Sequence, residues 1–103
     1  MRMMMTVSID TEAGNVAVKN GTLGSAIQKA VAELKPEAAY FLADAEGRRT
    51  GIIVFDMKDT SEIPGIAEPW FLKFNAKVNF QPVMNPADLA AAGPALERAA
   101  KES

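Results

Sequence analysis

The sequence of 103 residues predicts an α+β fold in which helices cover one face of a four-stranded sheet. The first observation is that two strand-like segments have different patterns. Gly51–Asp56 is apolar on both sides, which is typical of a central strand. Ala76–Val83 alternates between apolar and polar residues, which is typical of an edge strand with one buried face. The second observation is a capped, amphipathic helix between these two strands, so strand and helix patterns alternate along the chain.

The first third of the chain predicts one strand and two helices. Met3–Ile9 alternates as a strand and places an apolar residue on its second side as well, which favours a central position in the sheet. Thr11 is the predicted cap of a short turn of helix that Asn20–Gly21 ends. Thr22 is the predicted cap of a longer helix that Pro36 stops. The apolar stripe of this helix has spacings of three and four residues and consists of Leu23, Ile27, Ala30, Val31 and Leu34.

The middle of the chain predicts a β-hairpin followed by another helix. Ala38–Ala43 is the second strand, and the turn Asp44–Gly47 leads back into the third strand, Arg49–Met57. Thr60 or Ser61 is the predicted cap of the helix that follows.

Prolines mark the boundaries in the second half of the chain. Pro64 falls in the first turn of a helix, where proline is tolerated. Pro69 lies further in, removes a backbone hydrogen bond, and is expected to kink or break this helix. After the fourth strand, Asn85 is the predicted cap of a short C-terminal helix that Pro86 opens. The chain is expected to form a single domain, residues 1–103, whose tail frays from about residue 94.

The predicted order β-α-β-β-α-β, with a short helix at the C-terminus, is that of a ferredoxin-like split sandwich with its first and third strands at the centre. Two helices cover only one face of such a sheet. The other face would expose an apolar patch larger than a soluble monomer usually shows. This patch contains Met4, Ile52, Val54 and either Tyr40 or Phe41. We therefore expect a homodimer, packed sheet to sheet about a two-fold axis, that forms a dimeric α+β barrel with an interior.

Six segments spread over most of the chain resemble those of a known group of proteins. They are Asp10–Asn15, Asn20–Leu23, Leu34–Phe41, Ile66–Phe71, Phe74–Ala76 and Met84–Leu89. The group consists of small bacterial proteins of the dimeric α+β barrel, ferredoxin-like class. The resemblance implies this fold and a dimer, and no agreed activity comes with it.

The composition excludes several kinds of chemistry. The chain has no His and no Cys, which excludes imidazole and thiolate sites, haem ligation included, and we expect neither a metal nor a cofactor. The net charge of −2 and a single adjacent basic pair argue against a nucleic-acid partner. No apolar run approaches the ~20 residues of a membrane span, and the N-terminal segment is too short and polar for a signal peptide. We therefore expect no membrane partner and a cytoplasmic location.

Glu68 and Tyr40 are the candidates for catalysis. Glu68 directly precedes Pro69 and Trp70, and a carboxylate held against an indole in a dry pocket can act as a general acid or base. Alternatively, Glu68 bonds backbone groups freed by the proline or pairs with Lys73 or Lys77. Tyr40 offers a phenol for proton transfer.

Four further residues are candidates for ligand binding. Asn79 and Gln81 would orient a ligand if their side of the fourth strand lines the barrel, and would be ordinary edge-strand residues if it faces solvent. Trp70 would stack on an aromatic ligand, although an aromatic residue at helical spacing is also typical of a core. Arg49 would bind an anionic group, or lies at a solvated hairpin end.

Three functions are compatible with these residues. The first is a non-catalytic homodimer that binds a small apolar or aromatic molecule in its barrel. The second is a cofactor-independent isomerase or monooxygenase that uses Glu68 or Tyr40 for proton transfer, an analogy at the level of the fold. The third is a structural or interaction dimer. An open cavity would favour the first two functions, and a barrel filled by side chains would favour the third.

Overall fold

The computed structural model describes residues 1–103 as an α+β fold with one antiparallel sheet. The strands are β1 (Arg2–Ser8), β2 (Ala38–Ala43), β3 (Arg49–Asp56) and β4 (Lys77–Pro82). The helices are α1 (Thr11–Lys19), α2 (Thr22–Leu34), α3 (Ile63–Phe74), α4 (Pro86–Ala91) and α5 (Gly93–Glu102), and a 3-10 turn, Thr60–Glu62, precedes α3. None of these helices combines the length and apolar character needed to cross a bilayer.

The strands lie in the order β2-β3-β1-β4, and every neighbouring pair is antiparallel. The two strands with apolar residues on both sides, β1 and β3, therefore occupy the centre, and the alternating β4 lies at an edge. Met5 shows the consequence for burial. It lies between Ile53 of β3 and Phe80 of β4, and its side chain is 0% exposed.

The hydrophobic core lies between one face of the sheet and the helices α1, α2 and α3. Alternate residues of β1 and β3 point to this side because side chains along a strand alternate between the two faces of a sheet. The helices contribute their apolar stripes to the same layer. The buried cluster consists of Met3, Met5, Val7, Ile9, Ala17, Leu23, Ile53, Phe55, Met57, Trp70 and Phe74.

The first two helices begin differently from the sequence-based expectation. The cap of α1 is Asp10, whose carboxylate accepts a hydrogen bond from the backbone N–H of Ala13 at 3.0 Å, so the prediction of Thr11 is wrong. The helix also runs for nine residues and is more than a short turn. At α2 the cap position belongs to Gly21, whose φ of 78° is left-handed, and the side-chain oxygen of the preceding Asn20 accepts from the backbone N–H of Thr22 at 3.0 Å. Thr22 is therefore the first helical residue and not the cap.

The turn before α3 and the start of α4 are capped by an acidic and an amide side chain. Asp59 accepts a hydrogen bond from the backbone N–H of Ser61 at 2.9 Å and caps the turn before α3, so neither Thr60 nor Ser61 is the cap. Asn85 is confirmed as the cap of α4, since its side-chain oxygen accepts from the backbone N–H of Asp88 at 2.8 Å.

The chain is helical both at Pro69, where the expected break is absent, and in its C-terminal residues. Helix α3 runs through Pro69 without a break, because Trp70 and Phe74 on its buried side pack in the core on the C-terminal half of the helix. Residues Gly93–Glu102 form α5, and fraying of this segment stays a prediction.

Helices α4 and α5, which we call the C-terminal arm (Pro86–Glu102), project from the rest of the chain. Arg2 of β1 holds the start of the arm through an ion pair with Asp88, 2.7 Å from guanidinium nitrogen to carboxylate oxygen. The residues of α5 beyond Gly93 are exposed. The chain is consequently elongated, with extents of 58 × 28 × 20 Å and a radius of gyration of 16.9 Å, against about 13 Å for a compact domain of this length.

Asp56, at the end of β3, makes the stability of the fold depend on pH in the acidic range. A hydrogen bond from Lys58, followed by one from the amino group of Met1 at 2.6 Å, lowers the pKa of Asp56 from 3.8 to about 2. The ionised carboxylate therefore stabilises the folded chain above about pH 4, and this contribution is lost as the pH falls towards 2. We expect urea midpoints to fall less steeply over this range in Asp56→Asn than in the wild type. Glu97→Gln, an exposed acid on α5, is the control and should follow the wild type; equal slopes for Asp56→Asn and the wild type would contradict the assignment.

Candidate functional site

The candidate residues lie on two opposite sides of the sheet. The side away from α1, α2 and α3, which we call the open face, carries Tyr40, Asn79 and Gln81. The side that faces the helices carries Arg49, and Trp70 of α3 packs against it. The structure therefore divides the predicted site residues between two surfaces and does not bring them together in one site.

On the open face, strand register places Tyr40 in one row with Ile52, Thr6 and Asn79. This row crosses all four strands. Because neighbouring strands lie about 4.8 Å apart, the backbones of Tyr40 and Asn79 are separated by about 14 Å. The two residues therefore cannot contact the same atom of a small ligand, although both can line one side of a larger cavity.

The open face has an apolar half and a polar half. Met4, Ile52 and Val54 are only half-buried at its centre, and Tyr40 on β2 is 66% exposed. The exposed polar side chains lie along the other edge, on β4, and they are Lys77, Asn79 and Gln81. The polar side of β4 lies on the open face, and Val78 and Phe80 pack on the core.

Asp44 closes one end of the open face. Its carboxylate accepts hydrogen bonds from the backbone N–H groups of Arg48 and Glu46, both at 2.9 Å, and from the hydroxyl of Ser8 at 3.3 Å. The bond from Arg48 is the largest cause of the lowered pKa of Asp44, and those from Glu46 and Ser8 add to it. Asp44 therefore fixes the β2–β3 hairpin as an ionised carboxylate.

On the helical side, a groove of about 460 Å³ lies between α2 and the β2–β3 hairpin, and we call it the α2–β2 groove. Its apolar lining comes from α2, from both hairpin strands and from Trp70 of α3. Small-ligand sites usually have volumes of about 300–1,000 Å³ and mostly apolar walls, so size and lining suit a small molecule. The large apolar side chains that line the groove are Val7, Ile9, Leu23, Ile27, Phe41, Leu42, Ile53 and Trp70.

Arg49 lies at the edge of this groove, against α1. One guanidinium N–H group donates to the side-chain oxygen of Asn15 at 3.0 Å. A Cβ atom at Gly14 would lie only 2.8 Å from another guanidinium nitrogen, so the absence of a side chain at Gly14 gives Arg49 its place. Arg49 and Trp70, which the sequence singled out separately, thus line one groove.

Glu68 lies in a different place from the other candidates. It lines a second groove, of about 490 Å³, between α2 and α3, together with Lys29, Glu33 and Lys73. Its side chain is exposed, so it is not surrounded by the dry pocket that general acid–base catalysis would require. None of the six ion pairs of the chain includes Glu68, so the predicted alternative pairing with a lysine is not formed either.

The sequence does not single out Phe41 and Gly51 as candidate binding residues, although both line the α2–β2 groove. Phe41 forms part of its wall, and a Cβ atom at Gly51 would lie 3.4 Å from the Phe41 ring. An isolated glycine within a strand pattern often indicates that another group approaches closely, and Gly51 in the apolar third strand carried this signal.

Comparisons with known proteins support the fold alone. No protein-family model matches the chain, and no curated protein is detectably similar in sequence. The fold is similar to part of the crystal structure of a formyltetrahydrofolate deformylase from Pseudomonas putida KT2440, with a TM-score of 0.50 and 16% sequence identity over 81% of this chain. The chain spans 29% of that protein, so the similarity concerns one α+β segment of a longer enzyme.

Proposed function

We propose that this chain is a homodimeric, non-catalytic binding domain whose two open faces lie against each other and enclose a small apolar or aromatic molecule. The observation that carries the proposal is the amount of exposed surface. The chain exposes 6958 Å², whereas a folded monomer of 11.0 kDa exposes about 5,600 Å², so the excess is about 1,300 Å², shared between the open face and the projecting C-terminal arm. A typical stable interface covers about 800 Å² on each partner.

The location of the exposed apolar groups supports a partner on the open face. Strand register brings Met4, Val54, Ile52 and Tyr40 into adjacent positions, so they form one patch and not scattered residues. Contiguous apolar patches of several hundred Å² on soluble proteins usually mark interaction sites. A second copy related by a two-fold axis offers the same patch in return, which is the self-complementarity that such an interface needs.

The C-terminal arm also supports a dimer. The ion pair between Arg2 and Asp88 places the start of the arm beside the open face, because Arg2 lies on the same side of β1 as Met4. Leu89 and Leu96 of the arm are exposed, because the arm projects away from the sheet of its own chain. A second copy would provide the surface against which these two leucines pack.

The ligand proposal rests on the mixed character of the open face. Apolar side chains on β2 and β3 favour an apolar or aromatic molecule, and Asn79 and Gln81 on β4 provide donors and acceptors that orient it. The enzyme alternative is weaker, because Glu68 lies on the helical side and only Tyr40 is on the open face. Native mass spectrometry distinguishes the ligand-binding dimer from an interaction dimer that has no ligand.

Sedimentation equilibrium tests the dimer. We expect the wild type to have a mass of about 22 kDa, twice 11.0 kDa. Ile52→Lys should give a folded monomer, because it places a charge in the centre of the apolar patch. Leu72→Lys is the matched control, since Leu72 is 80% exposed on α3 and should leave the dimer intact. A monomeric wild type, or a dimer that survives Ile52→Lys, would refute the proposed interface.

Native mass spectrometry of protein purified without refolding then tests the ligand. We expect the wild-type dimer to carry extra mass and the Ile52→Lys monomer to have lost it. A dimer without added mass would favour the interaction dimer over the binding domain.

A further inference from the structure

The α2–β2 groove has features that the proposed function does not use. Most of its lining residues lie on the helical side of the sheet, and only Leu42 and Thr50 belong to the alternation of the open face, so the groove stays accessible when the open faces are covered. Arg49 is the only charged side chain among its lining residues, and the lining contains no Asp or Glu. The groove is therefore an apolar cavity with one positive group at its edge.

Arg49 has no acidic partner within the chain. Its only side-chain hydrogen bond goes to the neutral side chain of Asn15, whereas the adjacent Arg48 pairs with Glu46 at 3.5 Å. A guanidinium group has five N–H donors, so most of those of Arg49 remain free for a ligand. Because the fork of N–H groups matches the two oxygens of a carboxylate, an organic acid is the ligand class that this residue fits best.

The side chains in the walls of the groove indicate which apolar group the ligand carries beside its carboxylate. Phe41 is 56% exposed on the β2 side, whereas Trp70 of α3, which also lines the groove, is 6% exposed and packs in the core. Aromatic side chains favour offset or edge-to-face contacts with another ring. We propose that the α2–β2 groove binds a small aromatic carboxylate, with the ring against Phe41 and the carboxylate on Arg49.

Gly51 gives the groove its depth. It lies on β3 beside Phe41, and a side chain there would extend from the strand into the groove. The backbone of Gly51 has no positive φ, so a β-branched residue fits the strand. Gly51→Val should consequently fill the groove while the sheet remains intact.

Calorimetric titration with 2-naphthoate, and with 2-naphthamide as its neutral analogue, tests the proposal. The wild type should bind 2-naphthoate more tightly than 2-naphthamide. Arg49→Gln should weaken 2-naphthoate binding about tenfold or more and leave 2-naphthamide binding unchanged. Gly51→Val should abolish binding of both compounds. Arg48→Gln is the matched control and should bind as the wild type does, because Arg48 does not line the groove.

The same titration in Ile52→Lys separates this site from the open face. Retained 2-naphthoate affinity in that variant places the site outside the dimer interior, and lost affinity would refute a groove site that is independent of the open face. The proposal is also refuted if the wild type does not bind 2-naphthoate, if Arg48→Gln and Arg49→Gln weaken binding equally, or if folded Gly51→Val binds like the wild type. Far-ultraviolet circular dichroism of each variant verifies that it is folded.

Discussion

Phe55→Ala is expected to remove about 3–5 kcal/mol from the free energy of unfolding. Phe55 is 2% exposed in the central strand β3, pairs in register with Met3 of β1, and is among the largest fully buried side chains. Truncation leaves a cavity in the layer between sheet and helices, and the rigid sheet cannot close it. Because domains have only about 5–15 kcal/mol of stability, and small ones lie near the lower end, this variant should be largely unfolded at physiological temperature.

Urea unfolding at a fixed protein concentration measures this loss, since the proposed dimer would make apparent stability depend on concentration. Phe41→Ala is the matched control: it is the same substitution, on the same side of the same sheet, but Phe41 is 56% exposed and borders the groove. It should cost far less. Phe55→Leu keeps most of the buried area and should lose about 1–2 kcal/mol, which retains a measurable folded state. Equal losses for Phe55→Ala and Phe41→Ala would show that the core does not lie where the structure places it.

The sequence pattern predicts which strands are central, because a central strand is covered on both sides and therefore has apolar residues on both. Met3–Ile9 and Gly51–Asp56 carry apolar side chains on both sides, and only the two inner positions of the sheet suit them. The edge strand β2 is harder, since its sequence AAYFLA is apolar on both sides. Only pairing with β3 determines that Tyr40 lies on the open face and Phe41 on the helical side.

Helix caps were harder to predict because neighbouring residues compete for the same role. Asp10 and Thr11 both prefer cap positions, as do Asp59, Thr60 and Ser61, and intrinsic preferences differ by only a few tenths of a kcal/mol among such residues. At each of these helices the structure uses the aspartate. Asn85 was unambiguous because Pro86 follows it and has no N–H group, which fixes the first helical position.

The candidate site depends on contacts between residues that are distant in the chain, and local sequence patterns do not predict such contacts. Arg49 and Trp70 are 21 positions apart in the chain, and their proximity follows from the packing of α3 on the sheet. Local patterns identified both residues as capable of binding, but nothing local showed that they share a groove. Conversely, Glu68 lies only two positions before Trp70 in the chain, yet its side chain is exposed whereas Trp70 is buried.

Pro69→Ala is expected to stabilise the fold by about 1–3 kcal/mol. Pro69 is exposed within α3, so it contributes little to the core. Alanine restores an N–H group that can donate to the carbonyl of Gly65, four residues earlier, and removes the clash between the proline ring and that carbonyl. An interior proline is about 3 kcal/mol less favourable than alanine, and part of that gain is offset because proline also restricts the unfolded chain.

Pro64→Ala is the control, because Pro64 lies in the first turn of α3, where a backbone N–H has no partner within the helix. Its urea midpoint should remain at the wild-type value or fall slightly, whereas that of Pro69→Ala should rise. A rise in both variants would point to a general effect of proline on the unfolded chain and not to the missing hydrogen bond. If only Pro69→Ala is stabilised, the burial of Trp70 and Phe74 must offset the unfavourable proline in the wild type, which explains why α3 continues where its sequence predicts a break.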